Sequence, residues 1–328
     1  MQLMIAKSAY DRIKPRLDQV APNLDIVTVA GPDAFERGGQ KIAPEAANPD
    51  LTWISFDTLQ AGTLPVFLQR LLQANNPKWV QIMFAGLDNP VFKQVMAKGI
   101  RLTKSSAQAI PIAEHVIAHA FALIVPIDSQ RDAQAKKEWR RTPFREIGQT
   151  RWTLVGFGSI GKEIARRLQP FGTHLTVVRR SPAPDPLANE VIDMAGLPKA
   201  LPQSDVVVLA NSLNDETRQM ANDKFFGAMK EGSVLINIAR GALVDEDALQ
   251  RALAHNKPAH AVLDVFETEP LPADSWMWTH PKVRISGHTS NSGDGTRARG
   301  DTLFLDNLKR YLAGEPLLNE AAKSEVGL

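Results

Sequence analysis

The chain has 328 residues, of which 44% are hydrophobic and 23% charged, and its formal net charge at pH 7 is only +2. That length exceeds what one core usually fills, so two domains are expected, and the scattered Lys and Arg form no basic run suited to nucleic acid. Cysteine is absent, which excludes disulfides, thiolate metal sites and a cysteine nucleophile.

Residues 3–6 read as a short strand, not as part of a charged segment leading into a long apolar one, so no secretory leader is expected. The longest apolar run, 116–127, is interrupted by His119 and Pro126 and is too short to span a bilayer. A cytoplasmic protein without a membrane partner is predicted. Further strand-like runs at 24–30, 51–56, 79–85 and 100–103 alternate with helical stretches through Arg12 and Leu17, at 64–73 and at 91–97. Pro90 suits the first turn of the last of these. Such alternation predicts a parallel sheet with crossover helices. Residues 32–48, with Pro32, Gly38, Gly39 and Pro44, read as loop.

A long helix follows, with Pro111 near its start and Ile112, His115, Val116, His119, Ala120 and Leu123 at spacings of three and four. Its apolar content predicts burial, with a domain crossing near residues 100–110. His115 and His119 share a face, but no carboxylate or cysteine cluster accompanies them, so they read as packing or interdomain residues and not as metal ligands. Residues 128–145 are highly charged apart from Trp139 and Phe144. They are expected to form an exposed arm that docks on a second copy, which predicts a homodimer.

From Arg151 the strand–helix rhythm is regular, with six strands predicted at 152–155, 175–178, 206–210, 234–238, 259–265 and 283–286. Several are continuous apolar runs, as parallel strands covered on both faces are. Between the first strand and a helix bearing Ile160, Ile164 and Leu168 lies L-V-G-F-G-S-I-G at 154–161. Its Gly156, Gly158 and Gly161 have the spacing G-x-G-x-x-G in the context that marks a dinucleotide site. The first glycine permits a tight turn, the second lets backbone approach a pyrophosphate, and the third lets helix pack on strand. Ser159 and Ile160 open the helix, whose first N–H groups face the phosphates. Asp245 is placed to cap a later helix containing Leu249 and Leu253. A last helix at 302–312 is expected to return to the first domain.

A free ribose 2′-hydroxyl is normally held by an acid about 20 residues beyond the glycine loop. Here the second strand ends T-V-V-R-R-S at 176–181, and Arg179, Arg180 and Ser181 stand where the acid would be. Guanidinium groups and a hydroxyl suit a 2′-phosphate, which predicts NADP(H) in preference to NAD(H).

Three more stretches place ionisable residues at strand ends: N-I-A-R-G-A-L-V-D at 237–245, L-D-V-F-E-T-E-P at 263–270 and G-H-T-S at 287–290. Together with G-F-G-S-I-G at 156–161 and A-G-L-D at 85–88, in this order, the chain resembles the D-isomer-specific 2-hydroxyacid dehydrogenases, which include glyoxylate/hydroxypyruvate reductases. The resemblance implies an α/β fold of two Rossmann-like domains with doubly wound parallel sheets. Residues 1–101 and 290–328 would form a discontinuous substrate domain, and 102–289 the NADP-binding domain. It also implies that Ala85, Gly86 and Leu87 contact the substrate carboxylate, and that Ala239 and Asp264 lie beside the cofactor.

The chemistry of the residues agrees with that resemblance. Reducing a 2-keto acid by hydride transfer needs a cation for the carboxylate, which suits Arg240, and a proton for the carbonyl oxygen, which suits His288. Glu269 can hold and orient the imidazole, and the following Pro270 and the motif favour it over Glu267. The expectation is an NADPH-dependent reductase of a small 2-keto acid. The alternative is a nucleotide-sensing binding protein on the same fold, which would have no need for Arg240, Glu269 and His288 together. Ser212 departs from the family pattern, which usually has proline there, and no additional regulatory domain of the kind found in longer phosphoglycerate dehydrogenases is expected.

Overall fold

A computed structural model describes all 328 residues. The chain divides into two compact units, Met1–Ala107 with Asp294–Leu328, and Gln108–Gly293.

The first unit begins with β1 (Gln2–Ala6), whose five residues are all buried, followed by α1 (Lys7–Val20) and β2 (Asp25–Gly31). Then come β3 (Ala34–Arg37), β4 (Gln40–Ile42), β5 (Leu51–Ile54), α2 (Phe56–Gln60), α3 (Leu64–Gln73), β6 (Trp79–Ile82), α4 (Pro90–Ala97) and β7 (Arg101–Thr103). The seven strands form one sheet in the order β4-β3-β2-β1-β5-β6-β7. Five strands are parallel, but β3 and β4 run antiparallel to their neighbours, so this sheet is not the purely parallel one expected. The expected loop at 32–48 is therefore largely a hairpin. Gly38 and Gly39 both have positive φ (58° and 80°) and join β3 to β4 across the pair Arg37–Gln40. A Gly-Gly pair between short strands is the chemistry of a two-residue turn.

The C-terminal helix, Thr296–Leu312, packs on α1 in this unit. It starts earlier than the expected residue 302, because its first turns are polar and hide the helical period; Thr296 and Asp301 are nonetheless buried. Trp53 stacks on its Phe304 at 4.3 Å between centroids, and Trp79 on its Tyr311 at 5.4 Å. An ionic hub with two buried carboxylates adds to this packing. Arg12 donates to both oxygens of Asp57 at 3.0 Å and to both of Asp301 at 2.7 and 2.8 Å, tying α1, α2 and the C-terminal helix together.

The second unit opens with α5 (Ala109–Ile124) and α6 (Ile127–Ala135). The segment expected as a charged arm thus starts with a helix, and beyond it Trp139 is 96% exposed. No single helix of the chain is long and apolar enough to cross a membrane. There follow β8 (Arg151–Val155), α7 (Ser159–Leu168), β9 (His174–Val178), β10 (Glu190–Ile192), α8 (Leu197–Ala200), β11 (Val206–Leu209), α9 (Asp223–Ala228), β12 (Val234–Asn237), α10 (Glu246–Ala254), β13 (His260–Leu263) and β14 (Val283–Ile285). All seven strands are parallel, in the order β10-β9-β8-β11-β12-β13-β14. Six were expected; β10 has three residues, none fully buried, and so lacks the apolar run that marks the others. Ile112, Val116 and Ala120 of α5 join Ile164, Ala165 and Leu168 of α7 in one core beneath the sheet. Asp245 caps α10 by accepting from the Ala248 N–H at 2.9 Å.

Candidate active site

The strand order of the second unit is that of a dinucleotide-binding sheet extended by one strand, with its direction of growth reversing between β8 and β11. Gly156 lies at this reversal. Its φ is +98°, and a Cβ there would lie 2.6 Å from the Ala210 and Asn211 backbone that follows β11. Its N–H donates to the Val178 carbonyl at 2.9 Å, tying the loop to the end of β9. A Cβ on Gly161 would meet the Gly156 carbonyl oxygen at 2.5 Å, whereas one on Gly158 would meet nothing within 4 Å. Two glycines are therefore required by packing, while the third faces open space. Gly158 is the N-cap residue of α7 and no side chain caps that helix, so its first N–H groups are left for a ligand.

Arg179 continues directly from β9 and lies with its guanidinium carbon 5.8 Å from the centroid of Phe157 in the glycine loop. It donates to the Ala183 carbonyl, and its Nε has no acceptor. Arg180 and Ser181 are exposed beside it. The Asn211 side-chain oxygen, in the neighbouring loop, is also buried without a donor. Ser212 begins a turn held by Asn214, which accepts from the Glu216 and Thr217 N–H groups, while Thr217 Oγ1 donates to the Ser212 carbonyl at 2.9 Å. These features suit a dinucleotide: a backbone cradle without a Cβ, open N–H donors, and a guanidinium with an unmatched donor at the end of the second strand.

Arg240 follows β12, Asp264 to Glu269 follow β13, and His288 follows β14, at the carboxyl ends of three adjacent strands. Asn237 shapes the arginine turn. Its Nδ2 donates to the Arg240 carbonyl at 2.9 Å and its Oδ1 accepts from the Ala239 N–H at 3.1 Å. Arg240 is half-buried, with Nη1 donating to the Ala239 carbonyl at 2.6 Å. Gly241 brings this turn against the next loop, since a Cβ there would fall 1.8 Å from the Phe266 carbonyl carbon.

Glu269 bridges two elements. Its Oε1 accepts from the Phe266 N–H at 3.0 Å, and its Oε2 lies 2.7 Å from His288 Nδ1. The His288 side chain is 43% exposed, so its Nε2 end remains open to reactants. Its backbone is left-handed, with φ 53°, and its N–H donates to the Asp264 carbonyl at 2.8 Å. Asp264 itself is 1% exposed. Its Oδ1 accepts from Ser286 Oγ at 2.7 Å and the Thr289 N–H at 2.9 Å, and its Oδ2 accepts from Ser290 Oγ. The Glu267 backbone N–H donates to Glu246 Oε1 at 3.0 Å. Burial, chiefly, raises the proton affinity of the Glu246 carboxyl. No group of three or more His, Cys, Asp or Glu residues is arranged to hold a metal ion.

A family model described as "D-isomer specific 2-hydroxyacid dehydrogenase, NAD binding domain" matches residues 117–290. The chain belongs to that family. It is 32% identical to the human glyoxylate reductase/hydroxypyruvate reductase over 265 residues, which cover 77% of this chain and 80% of the relative. It is 30% identical to a glyoxylate reductase of Korarchaeum cryptofilum over 245 residues, covering 70% of this chain and 71% of that protein. Among solved structures, a D-isomer specific 2-hydroxyacid dehydrogenase from Xanthobacter autotrophicus Py2, in complex with NADPH and MES, superposes with a TM-score of 0.79 at 26% identity. That match covers 99% of this chain and 98% of the other.

Within this 2-hydroxyacid dehydrogenase, the structure brings the glycine loop, Arg179, Arg240, Asp264, Glu269 and His288 to the carboxyl-end side of one parallel sheet, beyond β8, β9, β12, β13 and β14. Ala85, Gly86 and Leu87 follow β6 in the other unit and are half-buried, with Leu87 packed on that unit's core. Two residues of the His288 neighbourhood escaped the sequence reading. Ser286 supports Asp264, and His115, read there as a packing or interdomain residue, has Nε2 3.3 Å from Ser286 Oγ. No spacing signal links residues 171 positions apart.

Proposed function

We propose that the enzyme reduces a small 2-keto acid, of the glyoxylate or hydroxypyruvate kind, to the D-2-hydroxy acid with NADPH. The observation that carries this reading is the Glu269–His288 pair, at 2.7 Å, which joins the loops after β13 and β14 beside the Arg240 turn after β12. When bound at the glycine loop, NADPH supplies the hydride. Arg240 holds the substrate carboxylate and polarises the neighbouring carbonyl. His288 gives the Nε2 proton to the carbonyl oxygen as negative charge develops there, and takes it back in the oxidative direction. Glu269 keeps Nδ1 engaged, so the ring keeps one orientation throughout the cycle.

NADP(H) in preference to NAD(H) is supported by Arg179, Arg180 and Ser181 at the end of β9, and by the NADPH complex of the Xanthobacter relative. Ala85, Gly86 and Leu87 are assigned to the substrate carboxylate, which makes the unit containing them the substrate-binding one. The exposed Trp139 and the charged segment around it are assigned to pairing of two copies, which sedimentation tests directly.

A panel of 2-keto acids of increasing side-chain size, with NADPH oxidation followed optically, tests the activity. The expected result is turnover with the smallest members and its loss in His288→Asn. Background rates across the whole panel would sink the proposal.

A further inference from the structure

The mechanism leaves one half-buried titratable pair unused. His115 and His119, on α5, stack with ring centroids 4.3 Å apart, and each is about half-buried. His115 also reaches out of the helix to Ser286, the residue just beyond β14. The proton directions in this contact can be worked out. Asp264 Oδ1 is a carboxylate oxygen and only accepts, so the Ser286 hydroxyl spends its one hydrogen on it at 2.7 Å. Ser286 Oγ must then accept from His115 Nε2 at 3.3 Å. Burial, chiefly, and only partly offset by Asp264, holds the His115 imidazole below its ordinary proton affinity, which favours the neutral ring with a single N–H. The contact assigns that N–H to Nε2.

We propose that His115 and Ser286 are positioning residues for His288. Their hydrogen-bonded chain ends on Asp264, whose two oxygens hold the Thr289 and Ser290 backbone N–H groups and whose carbonyl accepts the His288 N–H. The loop they secure carries a non-glycine residue with φ 53°, a conformation that persists only where its surroundings over-determine it. Without the His115 donor, the Ser286 hydroxyl is free to rotate off Asp264. The loop then loses its anchor on α5, and the imidazole loses its fixed bearing toward Glu269. In this role His115 makes no contact with either reactant. Its effect belongs in the rate of the chemical step and not in binding.

This inference rests on the keto-acid reductase reading, and the test separates the two. Wild-type enzyme is assayed first with NADPH and the preferred keto acid; absence of turnover refutes that reading and this inference with it. Given turnover, His115→Phe keeps the ring volume without the donor, and His115→Gln restores an N–H donor. The expected result is a fall in kcat of at least about tenfold in His115→Phe, with both KM values within about twofold, and recovery of most of the rate in His115→Gln. Ser286→Ala should match His115→Phe and Ser286→Thr should match wild type, a second pair that serves if the helix variant folds poorly. An unchanged kcat in both His115→Phe and Ser286→Ala, or equal losses in the donor-restoring and donor-lacking variants, overturns the inference.

Discussion

Glu269 divides its two oxygens between backbone and side chain: Oε1 accepts the Phe266 N–H at 3.0 Å, and Oε2 meets His288 Nδ1 at 2.7 Å. The carboxylate is thus fixed before it orients the imidazole. Glu269→Gln retains an acceptor for Phe266 but can present its amide N–H groups to Nδ1. We expect kcat to fall on the order of a hundredfold while the KM for NADPH is preserved, within the range usual for positioned acid–base groups. Steady-state kinetics checks this, and a wild-type kcat would mean that the pair has no part in the chemistry.

Cofactor choice is tested at the end of β9. Replacing Arg179 and Arg180 together with Gln should raise the apparent KM for NADPH by roughly ten- to a hundredfold, the worth of a charged hydrogen bond or two. The KM for NADH should barely move. Equal effects on both cofactors would refute the assignment of these residues to the 2′-phosphate.

Gly241 has no space for a side chain, since a Cβ would overlap the Phe266 carbonyl carbon at 1.8 Å. Gly241→Ala should therefore push the Arg240 turn away from the Glu269 loop, costing about 1–3 kcal/mol of stability. Activity should fall further than stability does if, as proposed, the two loops carry the carboxylate-binding and proton-transfer groups. Gly158→Ala is the control for stability: open space surrounds that position, so folding should survive while cofactor affinity drops. Thermal melts and NADPH titration distinguish the two.

The ionic hub of the first unit sets an acid limit on stability. Burial pushes the Asp57 carboxyl up, but hydrogen bonds from Arg12, Ser55 and Ser8 outweigh that, and its proton affinity ends below the ordinary carboxylate range. A carboxyl depressed in the folded state contributes stability that is present above its unfolded pKa, near 4, and that is lost as pH falls through the lower folded value. Asp57→Asn should flatten the acid side of the stability curve below about pH 4. Arg12→Ala removes the main cation from two buried carboxylates, of which Asp301 keeps only Arg16 at 3.6 Å, and should cost about 1–3 kcal/mol at neutral pH, less than a fully buried pair because Arg12 is partly exposed. Urea midpoints at pH 7 and pH 3 would expose either failure.

What could be read from the chain follows the range of the interactions. Gly156, Gly158 and Gly161 were legible because their roles are set by a turn and a helix start within eight residues. Family and fold were legible because motif order and strand rhythm repeat along the chain. The β3–β4 hairpin was missed because Gly38-Gly39 was weighed as loop composition instead of as a two-residue turn. The early turns of the C-terminal helix were missed because they are polar where they are buried, Asp301 being satisfied by Arg12 from 289 positions away. The same holds for His115, whose partner Ser286 lies on another element, so that nothing local distinguishes it from a packing residue.

The left-handed backbone at His288 makes a side-chain scan at this position a measurement of two quantities. Asn and Gly adopt that conformation at little cost, so those variants report the loss of the imidazole alone. Val, Ile or Thr would also report the loop relaxing toward an extended backbone, since branching at Cβ opposes positive φ. The spread in residual rate and melting temperature across variants that all lack the ring would therefore measure the tension the loop holds.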